Sequence, residues 1–250
     1  MPATAVVLGG GEAKDALATA SGVAVKGLVP LHKRPMASYV LTALKASTSV
    51  THTVYLGPLV SELEDLVDVS LAAGIRFADT VALGCGAALA LDPKAPILIC
   101  TADIPWLSSD AVDAFVHKAD ADLVYPIVSR DISEAQFPDQ KRTYAKTTDG
   151  AFTGGNMALL NPIAVAPLLA FIDKLYKGRK NPLVLAQLFG IGTIISFLLG
   201  KLEIKTLEQK ASAMLGVEVK SLRVSDASLA ADIDKPEHLT GVAIQKLASR

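Results

Sequence analysis

The stretch Thr4-Ala-Val-Val-Leu8-Gly9-Gly10-Gly11 decides the fold class. A short apolar run that ends directly in glycines is typical of a buried strand followed by a loop. Because glycine has no Cβ, the backbone of such a loop can approach a phosphate or the edge of a base, although a structural turn would leave the same pattern. The loop is not a Walker A motif, because no Gly-Lys-Ser/Thr follows, and it lacks the G-x-G-x-x-G dinucleotide fingerprint.

Residues 1–130 alternate between short apolar runs and stretches with helical periodicity. The predicted strands are Thr4–Leu8, Thr53–Leu56, Ile75–Ala78, Pro96–Cys100 and Asp122–Ile127, and the predicted helices are Pro35–Ala46, Val60–Val69 and Ser108–His117. This alternation is typical of a mostly parallel sheet with helices on both faces.

The pattern changes after residue 130. Residues 131–161 have hairpin character, residues 162–216 are almost wholly helical in pattern, and Val217–Val224 returns as a strand before Pro236 opens a final helix. We therefore expect one α/β domain over residues 1–250, with a helical insertion at about 162–216.

The composition excludes several other classes of protein. Hydrophobic residues make up 51% of the 250 residues and aromatic residues only 5%, as expected for aliphatic strands covered by helices. The net charge of −1 gives no global field that would attract nucleic acid or an anionic membrane. Cys85 and Cys100 match neither a disulfide framework nor a zinc motif, and the N-terminal sequence has no signal-peptide pattern. We expect a cytoplasmic protein.

One uncharged run, Leu183–Gly200, spans 18 positions and reaches the lower length limit of a membrane-spanning helix. Gln187, Ser196 and the glycines of the run favour instead a helical hairpin that is buried within the protein or against a second subunit. A lipid-facing surface and a true span are the alternatives. The favoured prediction is a homodimer or a compact monomer that does not bind membranes.

A lysine follows the glycine loop in the segment Lys26-Gly-Leu-Val-Pro30-Leu31, and Pro35-Met36 then opens a helix. Such a lysine can place a positive charge against transferring phosphates, and a solvated lysine is the simpler alternative. The order of strand, L-G-G-G, about 15 residues, K-x-L-x-P-L, x-x-P-M and helix resembles the opening of the MobA-like NTP transferases. That superfamily includes molybdenum-cofactor guanylyltransferases, the cytidylyltransferases of isoprenoid synthesis and sugar-1-phosphate nucleotidyltransferases.

The resemblance implies that the loop binds a nucleotide, with contacts from Leu8, Gly9, Gly10, Gly11 and Lys26. The usual opening of the family continues G-x-G-x-R, whereas this chain has Glu12-Ala-Lys14-Asp15. We expect Lys14 to replace the arginine that holds the β- and γ-phosphates, although a lysine lacks the bidentate fork of an arginine. Nucleoside contacts from Gly84 and Gly86 are also implied, and a turn at the start of a helix would explain this pair equally well.

Two acidic segments have the pattern of a cation site. Asp103 follows the predicted strand Pro96–Cys100, at the edge where α/β sheets bind ligands, with helix capping as its alternative role. Asp232 and Asp234 alternate in an extended segment, so both carboxylates point to one side. Capping of the helix at Pro236 is the alternative there. Carboxylate oxygens are the ligands that Mg²⁺ prefers.

The segment Asp232-Ile-Asp234-Lys-Pro-Glu-His-Leu239 resembles the D-x-D-x-P-E-D-L segment near the end of MobA-like chains. The resemblance implies that Mg²⁺ is held by Asp103, Asp232 and Asp234, and that the catalytic residues are Lys26, Asp103 and Asp234. It also implies that a small phosphorylated acceptor contacts the element Thr153, Gly154, Gly155 and Asn156, although a hairpin turn would explain these four. From its charge, we expect Lys146 to contact the acceptor as well. Lys146 is one of three cations in the segment 141–146 that suit an anionic acceptor.

The implied fold is a three-layer α/β sandwich with a mostly parallel mixed sheet, as in nucleotide-diphospho-sugar transferases of the GT-A type. The implied reaction transfers a nucleoside monophosphate from an NTP to the acceptor, with Mg²⁺ as cofactor and pyrophosphate as product. A GT-A glycosyltransferase is one alternative. The other is a non-catalytic nucleotide-binding protein, because the loop arginine is missing.

Overall fold

The computed structural model describes residues 1–11, 15–178, 190–239, 244 and 247. Within these residues the core is one nine-stranded mixed sheet with helices on both faces, which confirms the predicted α/β sandwich. The strands of the sheet are β1 Ala3–Leu8, β4 Val50–Leu56, β5 Val69–Leu71, β6 Ile97–Thr101, β7 Leu123–Ser129, β8 Ala145–Thr147, β9 Gly150–Gly154, β10 Met157–Leu160 and β11 Val219–Val224, and a small ribbon consists of β2 Pro30–Leu31 and β3 Arg34–Pro35. The helices are α1 Ala16–Ala20, α2 Met36–Ala46, α3 Ser61–Glu64, α4 Phe77–Leu91, α5 Ser109–Lys118, α6 Arg130–Gln136, α7 Pro162–Gly178, α8 Ile191–Leu198 and α9 Ile204–Leu215.

Strand β1 lies between β4 and β6 in the parallel part of the sheet. Its residues alternate between two core clusters: Ala5 and Val7 pack with α2 and α5, whereas Val6 packs with α4 and α7. Burial on both faces explains why β1 is apolar apart from Thr4. The loop after Leu8 therefore lies at the carboxyl edge of the sheet, next to the end of β6.

The other half of the sheet is mostly antiparallel and contains a bulge that bears on the site. Strands β9 and β10 both pair with β7: Gly154 lies opposite Ile127, and Leu159 lies opposite Val124. Between these two pairs the chain advances by five residues from β9 to β10 but by only three residues along β7. Of the two residues between the strands, Gly155 still donates its amide to the carbonyl of Pro126 on β7 at 2.8 Å. Asn156 bonds elsewhere, because its amide donates to the carbonyl of Leu229 at 2.7 Å and its carbonyl accepts from the amide of Thr101 at 3.0 Å. The bulge thus brings Asn156 to the end of β6.

The prediction for residues 60–78 is wrong in part. The predicted helix Val60–Val69 is only the short α3, and the strand here is β5, Val69–Leu71, whereas the predicted strand Ile75–Ala78 overlaps the start of α4. Helix α4 begins there because the amide of Arg76 donates to the Asp79 carboxylate at 3.2 Å, as in a capping box.

The region between β10 and β11 carries helices α7, α8 and α9. The part of the uncharged run from Leu183 to Phe189 lies outside the described residues. The remainder includes α8, after which Leu199 is 63% exposed. None of the described helices combines the length and apolar character needed to cross a membrane. The segment that opens at Pro236 forms a 3₁₀ turn, Pro236–Leu239.

Helix α4 packs closely on the sheet at Gly84. A Cβ at this position would lie 2.4 Å from Cγ1 of Val6 and 2.8 Å from Cδ1 of Leu56, whereas a Cβ at Gly86 would meet no atom within 4 Å. The two glycines therefore form a matched pair within one helix, one against the core and one facing solvent.

Replacing each glycine with alanine should change stability in opposite directions. Gly84→Ala should destabilise the fold by about 1–3 kcal/mol, the usual cost of overpacking a core. Gly86→Ala should stabilise it by about 0.5–1 kcal/mol, because alanine is the better residue inside a helix. Urea unfolding midpoints measure both, and shifts of the same sign and size would contradict the packing described.

Candidate active site

The carboxyl edge of the sheet carries Asp103, just after β6. Its side chain accepts a hydrogen bond from the Thr101 hydroxyl at 2.5 Å, and its backbone carbonyl accepts one from the amide of Ile233 at 3.0 Å. The second bond ties the C-terminal segment to the end of β6. Because Ile233 is fully buried in the core, the segment is fixed in position with an aspartate on either side of it.

Three carboxylates meet at this point. One oxygen each from Asp103, Asp232 and Asp234 lies within 4.8 Å of the others, which makes this the one such acidic cluster among the described residues. The prediction that these residues come together is met in the geometry. Three oxygen ligands at this spacing form a donor set that suits a hard divalent cation.

Two cations hold the carboxylates together. The ammonium of Lys26 forms an ion pair with Oδ2 of Asp103 and lies 2.5 Å from Oδ1 of Asp234. The guanidinium of Arg142 forms an ion pair with Asp232 through Nη1 and donates from Nε to the Thr153 hydroxyl at 3.2 Å. Each carboxylate is thus paired with a positive charge.

The electrostatics of the cluster shift three pKa values. Burial alone would lower the pKa of Lys26, but the neighbouring carboxylates of Asp103 and Asp234 raise it above the ordinary 10.5. Burial and a hydrogen bond with Asp234 raise the pKa of Asp232. Burial opposes ionisation of Asp234 too, yet hydrogen bonds with Asp232 and Lys26 hold its pKa below the ordinary 3.8. Lys26 is therefore fully charged at neutral pH.

Two clefts open beside the cluster. The first has a volume of about 870 Å³ and is lined by Leu8, Gly9, Gly10, Gly11, Asp15, Lys26, Gly27, Gly74, Ile75, Arg76, Phe77, Thr80, Thr101, Ala102, Asp103 and Asp234. The second has a volume of about 460 Å³ and is lined by Tyr125, Gln140, Lys141, Arg142, Thr143, Thr153, Gly154, Gly155, Asn156, Asp232, Asp234, Lys235 and His238. Asp234 lines both, so the cluster lies where the two clefts meet.

The glycine loop forms one wall of the first cleft. A Cβ on Gly9 would lie 2.4 Å from the ring of Tyr55, and Gly11 has a positive φ of 61°. Both positions therefore require glycine, one for space and one for its conformation. Lys14, predicted to contact the phosphates, lies outside the described residues.

Two sets of predicted contacts do not line either cleft. Gly84 and Gly86 lie inside helix α4, where Gly84 packs on the sheet, so the prediction of nucleoside contacts from them is wrong. Lys146 is exposed on β8, paired with Ala151, and the cations that line the second cleft are instead Lys141, Arg142 and Lys235. The other predicted contacts, from Leu8 to Gly11 and from Thr153 to Asn156, line the clefts as expected.

One wall of the first cleft was not predicted from the sequence. The connection from β5 to α4 supplies Gly74, Ile75, Arg76, Phe77 and Thr80 to the cleft. Ile75 is fully exposed there and Phe77 is 57% exposed. The pair Arg76 and Asp79, spaced as in a capping box, was the signal that could have revealed a loop and a helix start.

Removing the lysine between the carboxylates should give a pH-dependent loss of stability. In the native protein, the contribution of Asp234, whose pKa is lowered, is present above the ordinary 3.8 and is lost as pH falls. The contribution of Lys26, whose pKa is raised, is present below 10.5 and is lost as pH rises further. Both are complete near pH 7.

Lys26→Met should therefore lower the free energy of unfolding at pH 7 by about 1–3 kcal/mol, the scale of hydrogen bonds to charged groups. The deficit should shrink near pH 4, where Asp234, without the lysine that lowers its pKa, takes up a proton. Urea unfolding at both pH values measures this, with the exposed Lys235→Met as control. A deficit that is the same at both pH values would count against the ion pairs.

The model of the MobA-like NTP transferase domain matches residues 5–186. A comparison with curated proteins gives no match.

Among solved structures, a hypothetical transferase from Thermus thermophilus is 34% identical, with a TM-score of 0.86 over 96% of this chain and 100% of that one. The CMP:2-keto-3-deoxy-manno-octonic acid synthetase in complex with CTP is 12% identical, with a TM-score of 0.58 over 100% of this chain and 99% of that one. The 2-C-methyl-D-erythritol 4-phosphate cytidylyltransferase from Thermus thermophilus is 15% identical, with a TM-score of 0.54 over the whole of both chains. At such identities the last two show a shared fold. With the family model matching most of its length, the chain belongs to the MobA-like NTP transferase family.

Proposed function

We propose that this protein is a Mg²⁺-dependent nucleotidyltransferase that moves a nucleoside monophosphate from an NTP to a small phosphorylated acceptor and releases pyrophosphate. The observation that carries the proposal is the position of the carboxylate cluster between two clefts, with Asp234 lining both. A reaction that joins two substrates needs their reacting atoms to meet at one point. The cluster is such a point.

The NTP is assigned to the first cleft. Its volume of about 870 Å³ is that of a small-molecule site, and it combines the glycine loop with the ammonium of Lys26. The backbone amides of glycine residues, which no Cβ shields, and the ammonium of a lysine are groups that bind phosphates. The exposed Ile75 and Phe77 offer an apolar surface on the same cleft, where the base can pack.

The acceptor is assigned to the second cleft. Lys141, Arg142 and Lys235 line it and supply positive charge for a phosphorylated molecule. The side-chain nitrogen Nδ2 of Asn156, on the same wall, is buried and has no hydrogen-bond partner within the described part of the chain. A buried donor without a partner is costly, so it suits a ligand that accepts its hydrogen bond.

The carboxylates fit a magnesium ion by their chemistry, since three oxygen donors lie within 4.8 Å of each other. Asp103 and Asp234 would hold it, with Asp232 as the third ligand. A bound Mg²⁺ supplies positive charge to the α-phosphate and to the attacking oxygen.

The residues of the chain position the two substrates and neutralise their negative charge, rather than acting as a base. An acceptor phosphate oxygen forms a bond to the α-phosphorus while the bond from that phosphorus to the pyrophosphate oxygen breaks, in line. The acceptor phosphate is already ionised at neutral pH, so no proton has to be removed from it. Lys26 moves from the carboxylates to the phosphates and stabilises the charge that develops on pyrophosphate.

A pyrophosphate-release screen tests the proposal. Each of the four NTPs is combined with sugar phosphates, polyol phosphates and molybdopterin in the presence of Mg²⁺, and release above the level without acceptor supports transfer. Binding of an NTP without any release would indicate a non-catalytic member of the fold. Consumption of a nucleotide sugar without release of pyrophosphate would indicate a glycosyltransferase.

Substitution of the cluster should abolish turnover non-additively. Asp103→Ala and Asp234→Ala should each lower kcat by a factor of about 10³ or more, and the double variant should lose little beyond either one, because both serve one ion. Asp110→Ala, on the exposed first turn of α5, is the control and should keep its activity. Losses that multiply in the double variant would contradict a shared ion.

Substitution of the lysine should lower the rate without abolishing it. Lys26→Ala should reduce kcat by about 10² to 10³, as for other preorganised donors that stabilise developing charge. Steady-state kinetics with the best substrate pair measures the effect, and Lys118→Ala, on the exposed end of α5, is the control. An unchanged kcat would reduce Lys26 to a structural partner of the carboxylates.

A further inference from the structure

We propose that Arg142 binds the phosphate of the acceptor. In the free enzyme it is instead ion-paired with the carboxylate of Asp232, so that acceptor binding releases this carboxylate and completes the metal site. The inference rests on the proposed function and adds to it a residue and a coupling between the two substrates and the metal.

Arg142 stands between the second cleft and the cluster. It lines the cleft, its Nη1 forms an ion pair with Asp232, and its Nε donates to the hydroxyl of Thr153 at 3.2 Å. The side chains of Arg142 and Asp232 are 16% and 14% exposed, so the pair is partly shielded from water. A guanidinium with five N–H donors in a plane is the side chain best suited to bind a phosphate in two places.

The pair with Arg142 weakens Asp232 as a metal ligand. One carboxylate oxygen of Asp232 belongs to the cluster whose members lie within 4.8 Å of each other, so a metal ion there competes with the guanidinium for the charge of the same carboxylate. The guanidinium also repels the ion directly, since both are positive at short distance. In the free enzyme Arg142 therefore competes with a metal for Asp232, while Lys26 is shared between Asp103 and Asp234.

An acceptor phosphate would reverse this. A phosphate dianion in the second cleft attracts Arg142 more strongly than one carboxylate does, and its arrival leaves Asp232 free for the metal. The effect is reciprocal by thermodynamic linkage: the acceptor tightens metal binding by the same factor by which the metal tightens acceptor binding. Couplings of this kind are typically about 5- to 150-fold.

The first cleft follows the same logic. Lys26 lines it and is paired with Asp103 and Asp234, as Arg142 lines the second cleft and is paired with Asp232. Each cation of the cluster thus belongs to the cleft of one substrate. The metal site reaches full strength only when phosphates in both clefts have drawn the cations away.

Binding of Mn²⁺, a paramagnetic substitute for Mg²⁺, tests the inference without turnover. The affinity is measured by electron paramagnetic resonance on the intact chain, with and without methyl phosphate as a minimal phosphate monoester. Arg142→Gln is compared with Lys141→Gln, which removes a charge from the same cleft. Asp232→Asn is combined with Arg142→Gln, and circular dichroism confirms folding.

Arg142→Gln should bind Mn²⁺ about five-fold or more tightly than the native protein without any phosphate, whereas Lys141→Gln should change the affinity less than about two-fold. Methyl phosphate should tighten Mn²⁺ binding in the native protein and no longer do so in Arg142→Gln. The gain should vanish in the Asp232→Asn background.

An equal gain from Arg142→Gln and Lys141→Gln, or a gain that persists without Asp232, would overturn the inference. So would a native protein whose affinity for Mn²⁺ is indifferent to methyl phosphate. If Arg142→Gln does not fold, the inference is tested by comparing how methyl phosphate changes the Mn²⁺ affinity of the native protein and of Asp232→Asn. A native protein that binds no Mn²⁺ even with NTP present would instead refute the proposed function.

Discussion

Repulsion among three carboxylates is the constraint on which the site depends. Oxygens of Asp103, Asp232 and Asp234 lie within 4.8 Å of each other, a distance at which like charges in a partly buried place destabilise the fold. Lys26 and Arg142 offset this by pairing with all three. The same two cations line the clefts where phosphates are expected, so the charges that keep the free protein stable are also those a substrate would recruit.

The sheet assembles these groups from distant parts of the chain. The parallel strands β1 and β6 end side by side, which places the glycine loop next to Asp103. The C-terminal segment joins them because the amide of Ile233 donates to the carbonyl of Asp103 at 3.0 Å while its side chain is buried. The bulge between β9 and β10 brings Asn156 to the same edge. Each of these connections is made by hydrogen bonds between backbone groups, so the geometry of the cluster follows from the topology of the sheet.

Local chemistry explains what the sequence could and could not predict. The glycine loop directly follows a strand and Asp103 lies two residues beyond one, so their place at the edge of the sheet could be predicted, whereas Asp234 was indicated by the resemblance of its segment to D-x-D-x-P-E-D-L. The predicted strand Ile75–Ala78 was wrong because a short run of apolar residues gives the same pattern in a strand and at the start of a helix. Here Ile75 is fully exposed, whereas a residue of a buried strand would not be. The choice between Lys146 and Arg142 depends on how β8 pairs with β9 and on where the C-terminal segment lies, which no local pattern records. The prediction for Gly84 was wrong for a similar reason, since the space beside this helical residue is filled by Val6 of strand β1, which is distant in sequence.

The central claim, that one metal ion joins the two clefts, is tested most directly by diffraction. Crystals grown with Mn²⁺ and an NTP analogue that cannot be cleaved would locate the ion from its anomalous signal. The account predicts one Mn²⁺ peak within coordination distance of carboxylate oxygens from Asp103 and Asp234, with the triphosphate along the glycine loop and Lys26 on a phosphate. A peak elsewhere, or a nucleotide in the cleft lined by Arg142, would contradict it.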